Sequence, residues 1–221
     1  MSAPPVVKVC CIRDLGESRL AISHGAGAIG LVSAMPSGPG VIPDETIREV
    51  ARATPPPTRT FLLTSRRDPA AIAAQYRALG TTTIQLVDRV GPVGLRRLRD
   101  LVPGAELVQV IHVTGTDSVA EASEVAPLVD ALLLDSGRPR APVPELGGTG
   151  RVHDWALSRA IRNDSPVPVY LAGGLTPDNV ARAWQEVRPQ GLDVCSGLRI
   201  DGALDAGLLQ SFMSRVAELP A

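Results

Sequence analysis

Short runs of branched apolar residues recur along the chain, separated by amphipathic segments. Val6-Val7-Lys8-Val9-Cys10 reads as a strand, residues 16–26 as a helix and Ala28-Ile29-Gly30-Leu31-Val32 as the next strand. The order then repeats as helix 44–53, strand 59–64, helix 69–79, strand 82–87, helix 92–102, strand 106–113, helix 117–126 and strand 130–135. After an irregular stretch at 136–152 come helix 154–162, strand 167–172, helix 177–188, strand 191–195 and a last helix near 204–218. Strands written in Val, Leu and Ile without polar alternation suit a parallel sheet whose outer side is covered by helices. Eight such units in 221 residues predict an α/β fold, a single (β/α)8 TIM barrel domain spanning 1–221. An open doubly wound sheet shares this periodicity, but no G-x-G-x-x-G follows the first strand.

Local punctuation agrees with these boundaries. Pro43-Asp44 and Pro177-Asp178 have the composition of helix starts, and Pro69 suits a first helical turn after Asp68. Asp154-Trp155 reads as the cap and anchor of the sixth helix, and Asn179 as helix-start chemistry. The Pro55-Pro56-Pro57 run is a stiff connector, while 136–152, rich in Pro, Gly and Arg, is a candidate lid over the barrel mouth.

Composition narrows the classes of function. A net charge of −1 with 44% hydrophobic residues argues against a nucleic-acid footprint. No apolar run reaches membrane-spanning length, and Met1 to Pro5 lacks the basic start of a secretory leader. The three cysteines, Cys10, Cys11 and Cys195, give no spaced disulfide framework, so reduced thiols in the cytoplasm are expected. His24, His112 and His153 have no ligand-like spacing, so no metal is expected.

Three glycine-rich turns crowd the last third of the chain: Gly147-Gly148-Thr149-Gly150, Leu171-Ala172-Gly173-Gly174-Leu175 and Ser196-Gly197. Backbone N–H groups freed in such turns cradle an oxyanion, and late loops are where (β/α)8 barrels commonly hold phosphate. If the barrel reading holds, polar residues at C-terminal strand ends face the substrate. Asp135 directly follows Ala131-Leu132-Leu133-Leu134, a costly place for a carboxylate without partners or a task. Cys10 ends the first strand, and Lys8 shares its side of that strand. Lys8 is either paired inside the barrel or at its lower surface; Asp193 is a plausible partner, and a purely structural pair stays open. His112, near the end of strand five, is a further candidate to face the same pocket.

These pieces resemble the phosphoribosylanthranilate isomerase family of tryptophan biosynthesis. The resemblance lies in Lys8-Val9-Cys10, Leu133-Leu134-Asp135, Gly147 to Gly150 with Asp154-Trp155, Leu171 to Leu175 with Pro177 and Asn179-Val180, and Asp193-Val194 with Ser196-Gly197, in the family's order. It implies Cys10 as general base and Asp135 as general acid in an Amadori rearrangement of a phosphoribosylamine. It also implies phosphate binding at Gly148, Gly150, Gly173, Gly174, Ser196 and Gly197. The partner so implied is a small phosphorylated sugar-amine, with the protein a monomer or homodimer. No cofactor is implied, because the substrate nitrogen supplies the electron sink.

The departures gather in the other half of the site. Cys11 stands where the family usually has glycine, and Pro36-Ser37-Gly38-Pro39-Gly40 replaces a Lys-Ser-x-Arg segment whose arginine holds the anthranilate carboxylate. A Gln-Leu-His-Gly run appears as Gln85-Leu86-Val87-Asp88, and Arg199 stands near an expected glutamate. Either another cation, Arg13 or Arg138, holds the carboxylate, or a related phosphoribosylamine with a different aglycone is the substrate; an ionised Asp88 near the same mouth would disfavour an anionic aglycone and so favours the second. Two further alternatives are a lyase or aldolase using Lys8 as a Schiff-base amine and a non-catalytic sugar-phosphate binder.

Overall fold

The computed structural model describes residues 5–36, 38–137 and 153–220. Eight parallel strands alternate with eight helices among these residues: β1 (Val6–Val9), α1 (Leu15–Ser23), β2 (Ala28–Val32), α2 (Asp44–Ala53), β3 (Arg59–Thr64), α3 (Pro69–Leu79), β4 (Thr83–Leu86) and α4 (Pro92–Leu101) form the first half. The second half is β5 (Glu106–His112), α5 (Asp117–Val125), β6 (Ala131–Asp135), α6 (Trp155–Asp164), β7 (Val169–Leu171), α7 (Val180–Val187), β8 (Gly191–Val194) and α8 (Ala206–Ala217). Each strand pairs with its sequence neighbour and β8 pairs with β1, so the sheet closes and the open-sheet alternative falls. The proposed lid lies almost entirely outside the described residues.

Two apolar layers follow from the alternation of side chains along each strand. Val7, Val9, Ile29, Leu31, Leu132, Leu134, Leu192 and Val194 point outward into the layer shared with the helices. Ala28, Val32, Phe61, Val108, Val110, Ala131, Leu133 and Tyr170 fill the barrel interior. This parity sends Lys8, Cys10, His112, Asp135 and Asp193 inward, and the strand direction brings Cys10, His112 and Asp135 to the C-terminal mouth.

At the opposite end, Arg59 donates to Glu106 at 2.7 Å and to the Tyr170 hydroxyl, while Thr83 Oγ1 donates to Glu106 at 2.7 Å. This polar plug closes the barrel floor. Gly191 has no side chain because a Cβ there would run into the Tyr170 ring.

Helix starts follow local chemistry. Asp68, Asp154 and Asp205 accept from Ala71, Ala156 and Leu208 backbone N–H groups at 2.8, 2.9 and 2.8 Å, the expected N-cap role for a short carboxylate. Trp155 is buried beside its cap, as expected. Boundaries shift by one to three residues from the sequence reading, as where α1 ends at Ser23 rather than 26, and two of the shifts have a clear local cause. Helix α7 begins at Val180, not 177, because Thr176 to Asn179 form a turn stapled by the Asn179 side chain. Helix α8 begins at Ala206 because β9 (Arg199–Ile200) and β10 (Ala203–Leu204) pair as a small hairpin after β8.

Candidate active site

The first cluster at the mouth is built by β1, β2 and β8. Lys8 is fully buried and its Nζ lies 2.8 Å from Asp193 Oδ1, in register across the β1–β8 seam. Burial opposes its charge, but Asp193 and the Cys10 sulfur outweigh that cost and raise its pKa above the ordinary lysine value. A Schiff-base nucleophile must be a neutral amine, so an ammonium locked in this pair argues against the lyase or aldolase alternative. Gly30 of β2 makes room for the cluster. A Cβ on Gly30 would lie 2.7 Å from Cys10 Sγ and 3.0 Å from Lys8 Nζ, so sulfur and ammonium share the space this glycine leaves.

The second cluster is at the ends of β5 and β6, where His112 and Asp135 are register partners. Burial pushes the Asp135 carboxyl above its usual pKa and Asp193 adds to this, against the Ser136 N–H bond at 2.7 Å and the positive fields of His112 and Lys8. A carboxyl whose pKa is shifted upward in this way suits a general acid. His112 Nε2 lies 3.0 Å from the Val87 carbonyl, which can only accept, so Nε2 carries the proton. An imidazole therefore lies at the end of β4 after all, supplied by β5 rather than by position 87. Its Nδ1 is buried and has no partner among the described residues.

Two of the three glycine turns fall among the described residues and meet each other. Gly173 and Gly174 have φ of 83° and 64°, the left-handed region that favours glycine. A Cβ on Gly197 would strike the Leu175 carbonyl, so the Ser196-Gly197 turn packs directly on the loop after β7. Asn179 fixes that loop by donating to the Gly174 carbonyl and accepting from Thr176 N–H, both at 2.9 Å. Gly148, Gly150 and Arg138 lie outside the described residues.

His153 borders these turns. Its Nδ1 would lie 2.9 Å from a Cβ on Gly173, and its Nε2 meets Ser158 Oγ at 2.6 Å. Burial lowers its pKa from 6.5 to about 4. Because the unfolded chain takes up this proton first, His153 stabilises the fold above the unfolded pKa, and that contribution is lost as pH falls towards the folded value. The loss amounts to about 2 kcal/mol between pH 7 and 5. Urea unfolding at these two pH values is expected to show a drop that His153→Gln reduces by most of that amount; an equal drop in both proteins would contradict this assignment.

The remaining expected residues line the rim. Asp88 forms a two-pronged ion pair with Arg67, at 3.0 and 3.1 Å, so its charge is already matched and does not stand against an anionic aglycone. Arg13 is exposed, and its guanidinium lies over Gly202 at the tip of the β9–β10 hairpin. Cys11, in a left-handed backbone with φ of 62°, packs its Cβ onto Gly40 and points its sulfur at the Pro39 carbonyl 3.6 Å away. The two departures, cysteine for glycine after β1 and the rewritten loop after β2, are therefore in contact. The thiols form one cluster: contact with Cys11 and the charge of Arg199 draw the pKa of Cys195 down against burial, whereas contacts with Cys10 and Cys195 push Cys11 up.

In the sequence Arg199 stands out only as a departure, and nothing there singles out Glu17. Arg199 grips both oxygens of Glu17, at 2.9 and 3.0 Å, and reaches the Cys10 and Cys11 carbonyls. With the two partners 182 positions apart in the chain, no local periodicity reports this pair.

A closed parallel barrel with a thiol, a raised-pKa carboxyl and abutting glycine turns at one mouth defines a (β/α)8 enzyme of the acid–base type. Residues 31–215 match the family described as N-(5'phosphoribosyl)anthranilate (PRA) isomerase, and the chain belongs to that family. The chain is 36% identical over 214 residues to N-(5'-phosphoribosyl)anthranilate isomerase of Desulforudis audaxviator, covering 96% of this chain and 98% of the relative. The Haloferax volcanii protein of the same name is 35% identical over 210 residues, covering 94% and 91%. Among solved structures, phosphoribosyl anthranilate isomerase from Thermotoga maritima superposes with a TM-score of 0.82 at 25% identity, covering 97% of this chain and all of that one.

Proposed function

We propose that this chain isomerises N-(5'-phosphoribosyl)anthranilate to 1-(2-carboxyphenylamino)-1-deoxyribulose 5-phosphate, with one barrel domain spanning 1–221. The observation that carries this reading is the placement of Cys10 and Asp135 on the inner face at one barrel mouth, with the Lys8–Asp193 pair beside Cys10. Asp135 gives its proton to the furanose ring oxygen, the C1–O bond breaks and a protonated Schiff base forms at the anthranilate nitrogen. Cys10, as thiolate, then removes the C2 proton to give the enolamine, which tautomerises to the ketone. The proton taken from C2 by Cys10 is matched by the one added at C1, and the enol O2 proton replaces the one Asp135 gave to the ring oxygen, so acid and base are regenerated and the net change is an isomerisation without a redox partner.

Phosphate is assigned to the turns at Gly173, Gly174, Ser196 and Gly197, together with Gly148 and Gly150. The geometry of the two described turns supports this, because they abut and the Gly173-Gly174 turn holds left-handed backbone. No helix among the described residues is long and apolar enough to cross a membrane, and no group of three or more His, Cys, Asp or Glu there is arranged to hold a metal. The proposed setting is a cytoplasmic small-molecule enzyme, monomer or homodimer.

The decisive experiment is steady-state turnover of freshly prepared phosphoribosylanthranilate, followed by loss of substrate fluorescence. Multiple turnover supports the reading; tight binding without turnover returns the non-catalytic alternative. For the carboxylate, Arg13 and Arg138 are the two candidate cations replacing the lost strand-two arginine. Arg13→Ala is expected to raise KM by roughly 10-fold or more with kcat little changed, the cost of a charge-assisted contact. An unchanged KM would move the assignment to Arg138.

A further inference from the structure

Cys10 sits one residue before a backbone position that its own side chain makes difficult. Cys11 has φ of 62°, a left-handed conformation in which a Cβ crowds the neighbouring carbonyl and which glycine adopts freely. Such a conformation persists only where surrounding contacts over-determine it. The strand neighbours supply part of these, with Cys10 N–H donating to the Val194 carbonyl at 2.8 Å and Ile12 N–H to the Gly30 carbonyl at 3.0 Å, and the hairpin after β8 supplies side-chain bonds to the turn's own carbonyls. Arg199 Nη2 donates to the Cys11 carbonyl at 2.6 Å and to the Cys10 carbonyl at 3.3 Å, binding the two peptides that flank Cys11.

The guanidinium is itself held. Glu17 accepts from both of its terminal nitrogens, at 2.9 and 3.0 Å, and also from Arg13 N–H and Leu204 N–H, both at 3.0 Å. The Gly202 carbonyl takes a further bond from Nη1 at 2.9 Å. Only 9% of the Arg199 side chain and 12% of the Glu17 side chain is exposed. Burial works against the Glu17 charge, yet these donors outweigh it and hold its carboxyl below the usual pKa. A fork of fixed, planar donors anchored by two carboxylate oxygens is suited to fixing carbonyl positions, which a lysine's rotating ammonium is not.

We propose that Arg199, seated by Glu17, is a positioning residue for the general base: by clamping the Cys10 and Cys11 carbonyls it holds the left-handed turn that aims the Cys10 sulfur. This inference rests on the reading of Cys10 as base. It places in one device two departures that are remote in sequence, cysteine for glycine at 11 and arginine at 199. The Cβ at position 11 creates a demand for an external clamp, and the hairpin after β8 supplies it.

The test is a double-mutant cycle between Arg199→Lys and Cys11→Gly, measured with phosphoribosylanthranilate as kcat, KM and thermal midpoint, with Cys10→Ala as reference. Lysine keeps a positive partner for Glu17 but loses the fork. Arg199→Lys is expected to lower kcat by about 10-fold or more while KM moves by less than about 3-fold. In the Cys11→Gly background the same change is expected to cost less than about 3-fold in kcat, because glycine holds the turn unaided. An equal kcat loss in both backgrounds, or a loss confined to KM or to the thermal midpoint, would overturn the proposal. If Arg199→Lys does not fold, Glu17→Gln replaces it in the same cycle with the same two expected outcomes, since it unseats the guanidinium while keeping a hydrogen-bonding side chain. Full turnover by Cys10→Ala would refute the base assignment itself, whereas loss of turnover in Cys10→Ala with no coupling in the cycle would refute the clamp alone.

Discussion

Cys10→Ala and Asp135→Asn are each expected to lower kcat by about 10²–10⁴-fold, the range that a positioned acid or base contributes. The two losses should be distinguishable because the groups act in successive steps. With Cys10 removed, ring opening proceeds and removal of the C2 proton limits the rate, so substrate deuterated at C2 should turn over markedly more slowly than unlabelled substrate. With Asp135 replaced by a side chain that has no proton to give at the ring oxygen, ring opening limits the rate and the isotope effect should be suppressed. The isotope effect on each variant is the measurement to make. The reverse pattern would exchange the two roles, and unchanged turnover in either variant would remove that residue from the mechanism. Phosphate-dependent affinity is expected to survive in both, since the glycine turns lie on the loops after β7 and β8.

The element order was legible because a parallel barrel strand is buried on both faces and announces itself as an apolar run, while each helix shows one apolar stripe. The same alternation explains why the polar residues at strand ends stood out. Lys8, Asp135 and Asp193 interrupt apolar runs at positions whose parity points inward, and the pairing of Lys8 with Asp193 was readable as soon as strands one and eight were taken as neighbours. Boundaries failed where side chains rather than periodicity set them, as at Asn179, whose two bonds to the loop hold back the start of α7. The functional parts that escaped sequence reasoning are those made by contact across the barrel seam. Gly30 reads as an ordinary strand glycine, yet it vacates the space for Cys10 and Lys8. Glu17 and Arg199 look like exposed charges near loops, and only closure of β8 onto β1 makes them a clamp. The ion pair of Asp88 with Arg67 joins the loops after β3 and β4, so the charge that seemed to oppose an anionic aglycone is already balanced.

Lys8→Met is expected to be among the most destabilising single substitutions, costing about 3–5 kcal/mol, because it leaves the largely buried Asp193 carboxylate without its partner. For a chain of this size that corresponds to a fall in thermal midpoint of roughly 6–20 °C. Replacing both partners, Lys8→Met with Asp193→Leu, removes the stranded charge together with the cost of keeping two ions away from water, and should restore most of the lost stability. Turnover should not return with it. The ammonium is the positive group that shares the Gly30 space with Cys10 Sγ, and an apolar pair of similar volume supplies no charge to that sulfur. The thermal midpoint and kcat measured on wild type, single and double variants therefore separate two roles that a single substitution confounds. Recovery of both quantities in the double variant would make the pair a structural tie alone. Recovery of the midpoint with kcat still depressed by about 10-fold or more would mean that the barrel retains a buried ion pair at its seam for the chemistry at its mouth.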